Sequence, residues 1–222
     1  GFVVSLTSRG SGLRDGPVTA RTAILAPVYN EAPGPVFARL EAMMRDLDAE
    51  GLADRFHLFI LSDTRAPMIA VAEQAAFRRL RRALGDRASV YYRRRAENTD
   101  RKAGNIADWV RAFGGAYENM VVLDADSLMT GQTLGRLAGM MQAHPRVGLI
   151  QTVPAVIGAH TLFARLEQFA SRLYGPMFAR GMAWWCGSEG NYWGHNAIIR
   201  VRAFAEHAGL PHLKGRKPFG GH

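Results

Sequence analysis

Hydrophobic residues recur along this chain in two alternating patterns from about residue 22 onward. Short apolar runs of strand length alternate with longer segments in which apolar residues return at helical spacing. We expect strands at TAILAPVY (22–29), FHLFIL (56–61), ASVYYR (88–93), MVVL (120–123) and RVGLIQT (146–152). We expect helices at about 30–50, 66–84, 104–113, 132–143 and 161–180. This alternation predicts an α/β fold with a mostly parallel central sheet flanked by helices.

The first 20 residues lack this regular pattern and are rich in Gly, Ser, Arg and Pro. We interpret residues 1–20 as a connector and residues 21–222 as one domain. The start of the chain lacks the features of a signal peptide, and no stretch approaches the roughly 18 apolar residues of a membrane span. Because the chain begins without Met and ends in LKGRKPFGGH, we expect it to be an incomplete piece of a longer protein.

Composition narrows the class of protein without identifying it. The chain has 222 residues, of which 48% are hydrophobic and 21% charged, so it can bury the core of one sizeable domain. Lys and Arg number 28 against 19 Asp and Glu, giving a net charge of +9. This excess suits a nucleic acid, an anionic membrane surface or a phosphate-bearing ligand. The single cysteine, Cys186, excludes an intramolecular disulfide and fits a reducing compartment.

Polar residues follow three of the predicted strands at the point where each apolar run ends. The three segments are APVYNE (26–31), LSDT (61–64) and LDAD (123–126). In parallel sheets, ligands bind beyond the carboxyl ends of the strands. We therefore expect these three segments to meet at one edge of the sheet and to form a binding site there.

Asp124 and Asp126 are the strongest candidates for chemistry. Residues two apart in an extended chain point the same way, so both carboxylates can face one ion. Two like charges so close are costly unless a cation or a proton lies between them. Carboxylate oxygens suit Mg²⁺ or Mn²⁺, and Mg²⁺ is usually bound by one or two carboxylates together with substrate phosphates. The alternative is a strand-to-loop turn with a capping aspartate.

Other polar residues near these strand ends allow a functional and a structural interpretation. Asp63 either contributes to a ligand site or caps the helix that begins near Ala66. Lys102 precedes a helix, where it either meets a phosphate or remains a solvated loop charge. Glu31 can act as a first-turn acid that favours the helix dipole.

Aromatic residues interleaved with polar ones near residue 190 either belong to the core or form a sugar site. The aromatic residues are Trp184, Trp185, Tyr192 and Trp193, and the polar ones are Glu189, Asn191, His195 and Asn196. The preceding segment, 161–180, is amphipathic, and we expect it to pack one apolar side against the domain. That side contains Leu162, Leu166, Phe169 and Leu173. The alternative is a position in a membrane interface, which the basic surplus would favour.

Six motifs taken in order resemble a known family. They are APVYNE, LSDT, KAGN, VVLDADS, IQT-x-P and YWGHNAIIR. In this order they are similar to the inverting glycosyltransferases of the large family that includes cellulose and hyaluronan synthases. More narrowly, RRR-x₅-RKAGNI, MVVLDADSLMTG, RLYGPMFARG and YWGHNAIIR resemble the membrane glucosyltransferases that build the backbone of osmoregulated periplasmic glucans in Gram-negative bacteria. The resemblance covers nearly everything after about residue 20.

The resemblance implies a GT-A (Rossmann-like) glycosyltransferase fold, UDP-glucose as donor, Mg²⁺ or Mn²⁺ as cofactor and a glucan as acceptor. It also implies membrane helices outside this chain, a position at the cytoplasmic face of the inner membrane, and no nucleic-acid partner. By position, the donor site would contain Pro27, Tyr29, Asn30, Glu31, Asp63, Lys102 and Asp124. The metal ligands would be Asp124 and Asp126, and the residues near the acceptor would be Trp193, His195 and Asn196.

Two motifs of that family are missing from this sequence. The aspartate that acts as general base and the later Q-x-x-R-W motif would both follow His222. Since the acceptor hydroxyl must lose its proton to a carboxylate, we expect donor binding without useful turnover from this chain alone. A non-catalytic, nucleotide-sugar-binding regulatory module is the main alternative. A third alternative, a nucleic-acid-binding protein, is supported only by the positive net charge. The acids at the sheet edge argue against it, because they would repel a polyanion.

Overall fold

A mixed β-sheet forms the centre of the molecule. The computed structural model describes residues 2–6, 13–153, 158–186 and 192–209. Its strands are β1 (Phe2–Leu6), β2 (Thr22–Val28), β3 (Phe56–Ser62), β4 (Ser89–Arg94), β5 (Asn119–Val122), β6 (Val147–Thr152) and β7 (Ala197–Arg200). Within these residues the strand order is β1-β6-β7-β5-β2-β3-β4. β7 runs antiparallel to β5 and β6, and the other neighbouring strands are parallel.

Helices lie on both faces of this sheet. Their bounds are α1 (Pro33–Ala49), α2 (Pro67–Leu84), α3 (Arg101–Phe113), α4 (Gly131–Ala143), α5 (Leu162–Cys186) and α6 (Val201–His207). Both α1 and α2 begin with a proline, whose missing N–H costs nothing at the first helical position. The predicted α/β architecture with a mostly parallel sheet is therefore confirmed.

The core has two parts because the central strands are buried on both faces. Ile24 of β2 belongs to a cluster with residues of α1, α2 and α4, such as Met44 and Leu137. Its neighbour Leu25 points the other way, into a cluster that contains Trp109 of α3. Side chains alternate along a strand, so an unbroken apolar run such as that of β2 fills both clusters.

Two strands lie outside the predicted set. β1 pairs in parallel with β6 at one edge of the sheet, within the segment that the sequence analysis treats as a connector. β7 lies between β5 and β6. Since β5 and β6 therefore do not pair directly, the last described strand is needed to join the two halves of the sheet.

Helix α5 contradicts the expected packing of segment 161–180. Its large apolar side chains are exposed, and Ala179 is its buried residue among those described. We define the α5 apolar face as ten side chains that are 55–84% exposed: Leu162, Phe163, Leu166, Phe169, Leu173, Tyr174, Met177, Phe178, Trp184 and Trp185. The core interpretation is therefore wrong for Trp184 and Trp185 as well. No helix in the described part of the chain is both long and apolar enough to cross a membrane.

Candidate functional site

A cavity of about 900 Å³ lies at the carboxyl edge of the sheet, where β2, β3 and β5 end. We call it the strand-end cavity. Seven residues singled out from the sequence line it: Pro27, Tyr29, Glu31, Asp63, Lys102, Asp124 and Asp126. The parallel pairing of β2 with β3 and with β5 brings these segments together, as the sequence pattern predicts. Their roles in binding remain predictions.

The two aspartates follow β5 in a compact turn. The backbone N–H of Asp124 donates to the Ser127 hydroxyl at 3.0 Å, and the Ser127 N–H donates to the Asp124 carbonyl at 3.0 Å. Arg39 of α1 donates to the Ala125 carbonyl at 2.9 Å, which anchors the middle of the turn. Helix α4 is capped by Thr130 and not by either aspartate. Both aspartates line the cavity.

Lys102 is the cation nearest to this pair among the described contacts. Its ammonium group forms an ion pair with Asp124 and donates to the Gly194 carbonyl at 2.9 Å. Asp100 and Arg101, just before it, have left-handed backbone angles, with φ of 54° and 50°. Gly104 then approaches the preceding loop so closely that a Cβ would lie 2.1 Å from the Thr99 carbonyl oxygen. This tight start of α3 brings Lys102 into the cavity.

Asp63 forms a buried ion pair and does not cap α2. Arg95 donates to both of its carboxylate oxygens, at 2.7 and 2.9 Å, and to Asp108 of α3 at 2.7 Å. The residue before α2 is Ala66, and it makes no side-chain cap. Hydrogen bonding to Arg95 lowers the pKa of Asp108 below its ordinary value of 3.8. Arg95 therefore fixes the orientation of the Asp63 carboxylate beside the cavity.

Asn30 is not among the residues that line the cavity, but its hydrogen bonds hold the loops beside it. Its φ is 60°, a left-handed angle that asparagine tolerates. Its side-chain oxygen accepts from the N–H groups of Arg65 and Ala66 at 3.2 and 3.1 Å, and its own N–H donates to the Thr64 hydroxyl at 2.9 Å. Asn30 thus ties the loop after β2 to the loop after β3.

Glu73 of α2 extends this link into the core. The residue is 2% exposed, and its carboxylate accepts from Ser62 at 2.6 Å, Thr64 at 2.5 Å and Tyr92 at 3.0 Å. Burial, followed by the charge of Glu73, raises the pKa of Tyr92 to about 12, so its hydroxyl remains a donor. One buried acid therefore connects α2 with the ends of β3 and β4.

The residues predicted to lie near an acceptor are in a short loop before β7, beside Asp124. Buried Gln151 accepts from the Trp193 N–H at 3.3 Å and donates to the His195 carbonyl at 2.9 Å. His195 Nδ1 is 3.9 Å from Asp124 Oδ2. Asn196 has a left-handed φ of 51° and donates its N–H to the Val122 carbonyl at 2.7 Å. Glu189 and Asn191, also considered for a sugar site, lie outside the described residues.

The chemistry of the cavity suits a divalent cation and a phosphate. The described residues contain no cluster of three or more His, Cys, Asp and Glu that could bind a metal by itself. Asp124 and Asp126 can supply two carboxylates, the number that Mg²⁺ commonly takes when phosphate oxygens complete its shell. Arg39, Arg101 and Lys102 add positive charge to the same cavity. A metal ion held by these two carboxylates would therefore need phosphate oxygens of a bound ligand to complete its coordination shell.

Several supporting residues were not found from the sequence. They are Arg39, Glu73, Asn98 and Gln151. Arg95 and Arg101 belong to a basic segment, 93–101, whose arginines are predicted from the sequence either to strengthen the field around a phosphate or to remain exposed. The structure pairs Arg95 with Asp63 and places Arg101 at the cavity. Glu73 resembles an ordinary acid on an amphipathic helix, and its inward position depends on which side of α2 meets the sheet.

Comparison with known proteins identifies the class. The Glycosyl transferase family 2 profile matches residues 23–208, and the chain belongs to this family. A solved mannosyltransferase from Pyrobaculum calidifontis, in complex with GDP-Man and Mn²⁺, superposes with a TM-score of 0.63 at 18% identity. The match covers 92% of this chain and 51% of that protein, and it confirms the GT-A fold class.

Closer relatives are named for glucan synthesis. The chain is 56% identical over 228 residues to glucans biosynthesis glucosyltransferase H of Bradyrhizobium diazoefficiens, and the match covers all of this chain. It is 60% identical over 201 residues, 90% of its length, to the protein of the same name from Caulobacter vibrioides strain NA1000. The chain spans 30% of the length of each of these relatives. It therefore matches one part of each of these proteins.

Proposed function

We propose that the strand-end cavity binds UDP-glucose with a divalent cation and serves an inverting glucosyltransferase that extends a β-glucan. The main support is a single observation: Asp124, Asp126 and Lys102 line one cavity beyond the ends of three strands. Its dimensions, about 900 Å³, suit a ligand of nucleotide-sugar size. The names of the close relatives support glucose as the transferred sugar and a glucan as the product.

The nucleotide would lie between the loops after β2 and β3. Tyr29 and Pro27 offer apolar surface to the base and ribose, and Glu31 accepts from the Tyr29 N–H, which stiffens this loop. Asp63 is proposed to accept from the uracil ring. A carboxylate has about four lone-pair positions, so its two bonds from Arg95 leave capacity for a further donor.

The diphosphate would lie at the other end of the cavity. Asp124 and Asp126 would hold Mg²⁺ or Mn²⁺, and the ion would neutralise charge on the departing UDP. Lys102 is proposed to donate to a phosphate oxygen in place of its present contact with Asp124. Arg101 adds charge at the same wall.

The acceptor would approach from the loop of Trp193, His195 and Asn196, beside Asp124. Its hydroxyl oxygen would attack the anomeric carbon while the bond to UDP breaks, and its proton would pass to a carboxylate base. We assign no residue of the described chain to that base. For the whole protein we propose action at the cytoplasmic face of the bacterial inner membrane, as the resemblance implies.

Donor selectivity tests this proposal. Calorimetric titrations in Mn²⁺ would compare UDP-glucose, GDP-glucose and UDP-N-acetylglucosamine on the same preparation. We expect UDP-glucose to bind at least tenfold more tightly than GDP-glucose and more tightly than UDP-N-acetylglucosamine. Asp63→Asn should reduce the preference for uridine, whereas the exposed control Asp86→Asn should leave it unchanged. Equal affinity for UDP-glucose and GDP-glucose would refute the assignment of Asp63, and tighter N-acetylglucosamine binding would refute glucose.

A further inference from the structure

His195 lies beside Asp124 and is not among the residues that line the strand-end cavity. Its Nδ1 atom is 3.9 Å from Asp124 Oδ2, whereas Asp124 itself lines the cavity. A ligand bound in this cavity would therefore contact Asp124, and His195 would act on that ligand through the Asp124 carboxylate. This position makes His195 a candidate for orienting Asp124, in addition to its predicted place near an acceptor.

The Nδ1 atom of His195 is buried and has no hydrogen-bond partner among the described residues. Buried polar atoms are nearly always hydrogen-bonded, so an exception needs an explanation. At 3.9 Å, Asp124 Oδ2 is too far away for a hydrogen bond. A movement of the Asp124 side chain by about 1 Å would bring the two atoms within hydrogen-bond distance.

The backbone around His195 is fixed by hydrogen bonds to two strands. Gln151 of β6 donates to the His195 carbonyl at 2.9 Å. The Asn196 N–H donates to the carbonyl of Val122, the last residue of β5, at 2.7 Å. The loop that carries His195 is thus tied to the strand that leads into Asp124. The movement that completes the hydrogen bond must therefore come mainly from the Asp124 side chain.

Lys102 binds the other oxygen of the Asp124 carboxylate. Its ammonium group pairs with Oδ1, whereas Oδ2 is the oxygen close to His195. The two partners therefore do not compete for one oxygen. If Lys102 moves to a phosphate, Oδ1 becomes available to a metal ion and Oδ2 can still accept from His195. Carboxylates that bind a metal are commonly held in place by such a second hydrogen bond.

We propose that His195 is a positioning residue for the metal site: its Nδ1–H donates to Asp124 Oδ2 while Asp124 Oδ1 binds the divalent cation. This inference rests on the proposed function, because it requires a metal ion at Asp124 and Asp126. The hydrogen bond holds the carboxylate in one orientation and gives the buried Nδ1 its partner. The imidazole is neutral, with the ring hydrogen on Nδ1 and an acceptor at Nε2.

Mn²⁺ binding in the presence of UDP tests this on the 222-residue chain, with electron paramagnetic resonance of the free ion as the readout. His195→Leu removes the N–H donor and should weaken Mn²⁺ binding by at least tenfold, a typical loss for the outer partner of a metal ligand. His207→Leu, at an exposed histidine of α6, is the matched control and should bind Mn²⁺ like the wild type.

Two amide variants identify the ring nitrogen that acts. The amide nitrogen of Asn can take the place of Nδ1, whereas that of Gln reaches the position of Nε2. We expect His195→Asn to keep Mn²⁺ affinity within about threefold of the wild type, since it retains a donor at the required place. His195→Gln should lose nearly as much as His195→Leu. Equal affinities in the two amide variants, or recovery in His195→Gln alone, would overturn the proposed donor.

The outcomes separate this inference from the proposed function. Circular dichroism would confirm that each variant is folded, and if His195→Leu does not fold, the comparison of the two amide variants decides. A wild-type chain that binds no Mn²⁺ with UDP would refute the proposed function and this inference together. Normal binding by the wild type and an unchanged Mn²⁺ affinity in folded His195→Leu would overturn this inference alone.

Discussion

The strand-end cavity and helix α5 follow opposite rules of burial. Around the cavity, the two buried acids have partners within the chain: Asp63 pairs with Arg95, and Glu73 accepts from three hydroxyls. On α5, Ala179 is buried, whereas the bulky apolar side chains are exposed. Removing a partner of a buried acid should therefore destabilise the fold. Removing an exposed apolar side chain from α5 should change stability little.

Breaking the Asp63 pair should give the largest effect. Arg95→Leu leaves the Asp63 carboxylate, 5% exposed, without its bidentate partner. Removing one partner of a buried pair costs about 3–5 kcal/mol. We expect that loss in urea denaturation, together with weaker donor binding. Arg94→Leu, at the exposed last residue of β4 and next to Arg95 in the chain, is the control. Equal losses in both variants would show that the buried pair has no special role.

A matched pair of leucine truncations compares the two regions directly. Leu25 of β2 is fully buried, and Leu25→Ala should cost about 2–5 kcal/mol through lost burial and a residual cavity. Leu166 on the α5 apolar face is 58% exposed, and Leu166→Ala should change stability by no more than about 0.5 kcal/mol. Denaturation at low protein concentration without lipid provides the measurement. A large cost at Leu166 would mean that the α5 apolar face is already covered in the isolated chain.

The Glu73 network should contribute an intermediate effect. Glu73→Ala leaves three hydroxyl donors without their acceptor, which costs about 1–3 kcal/mol. Because Thr64 also accepts from the Asn30 N–H, we expect a looser donor loop and weaker UDP-glucose binding. Glu73→Gln should retain part of both properties, and Glu41→Gln on α1 is the control. Unchanged donor affinity in folded Glu73→Ala would separate this network from the site.

The smallest expected effect is the contribution of Asp108 to the pH dependence of stability. Arg95 lowers the folded-state pKa of Asp108, so the stabilisation is present above the ordinary value of 3.8 and is lost as pH falls through the lower folded value. Asp108→Asn should therefore lose stability at neutral pH and show a flatter decline below pH 3.8 than the wild type. Thermal melts from pH 7 to pH 3 provide the measurement. Parallel curves for the two proteins would argue against this linkage.

The sequence predicted those parts of the molecule in which the position of a residue within its own strand or helix also determines its place in the fold. The apolar run of β5 followed by Asp124 and Asp126 is such a case, because strand pairing alone brings the carboxylates to the sheet edge. Helix α5 shows the limit. Its hydrophobic spacing indicates an amphipathic helix, but spacing does not determine whether the bulky side faces the sheet or an external partner.

Partners distant in sequence explain most of what was missed. Asp63 and Arg95 are 32 positions apart, and β1 pairs with β6 more than 140 positions later. A short apolar run among Gly and Ser gave no sign of such a pairing. The burial of Glu73 could not be predicted for a related reason. Its partners Ser62 and Tyr92 lie on β3 and β4 and not on its own helix.

Titration of UDP with and without metal tests the central claim most directly. The chain would be titrated calorimetrically with UDP in Mn²⁺ and then in EDTA, and the same titration would be made on Asp124→Asn/Asp126→Asn. Asp86→Asn serves as the control for the loss of an exposed acid. We predict saturable binding that requires Mn²⁺ and is lost in the double variant but not in the control. UDP binding of equal strength in EDTA, or in the folded double variant, would contradict a metal-assisted donor site at Asp124 and Asp126.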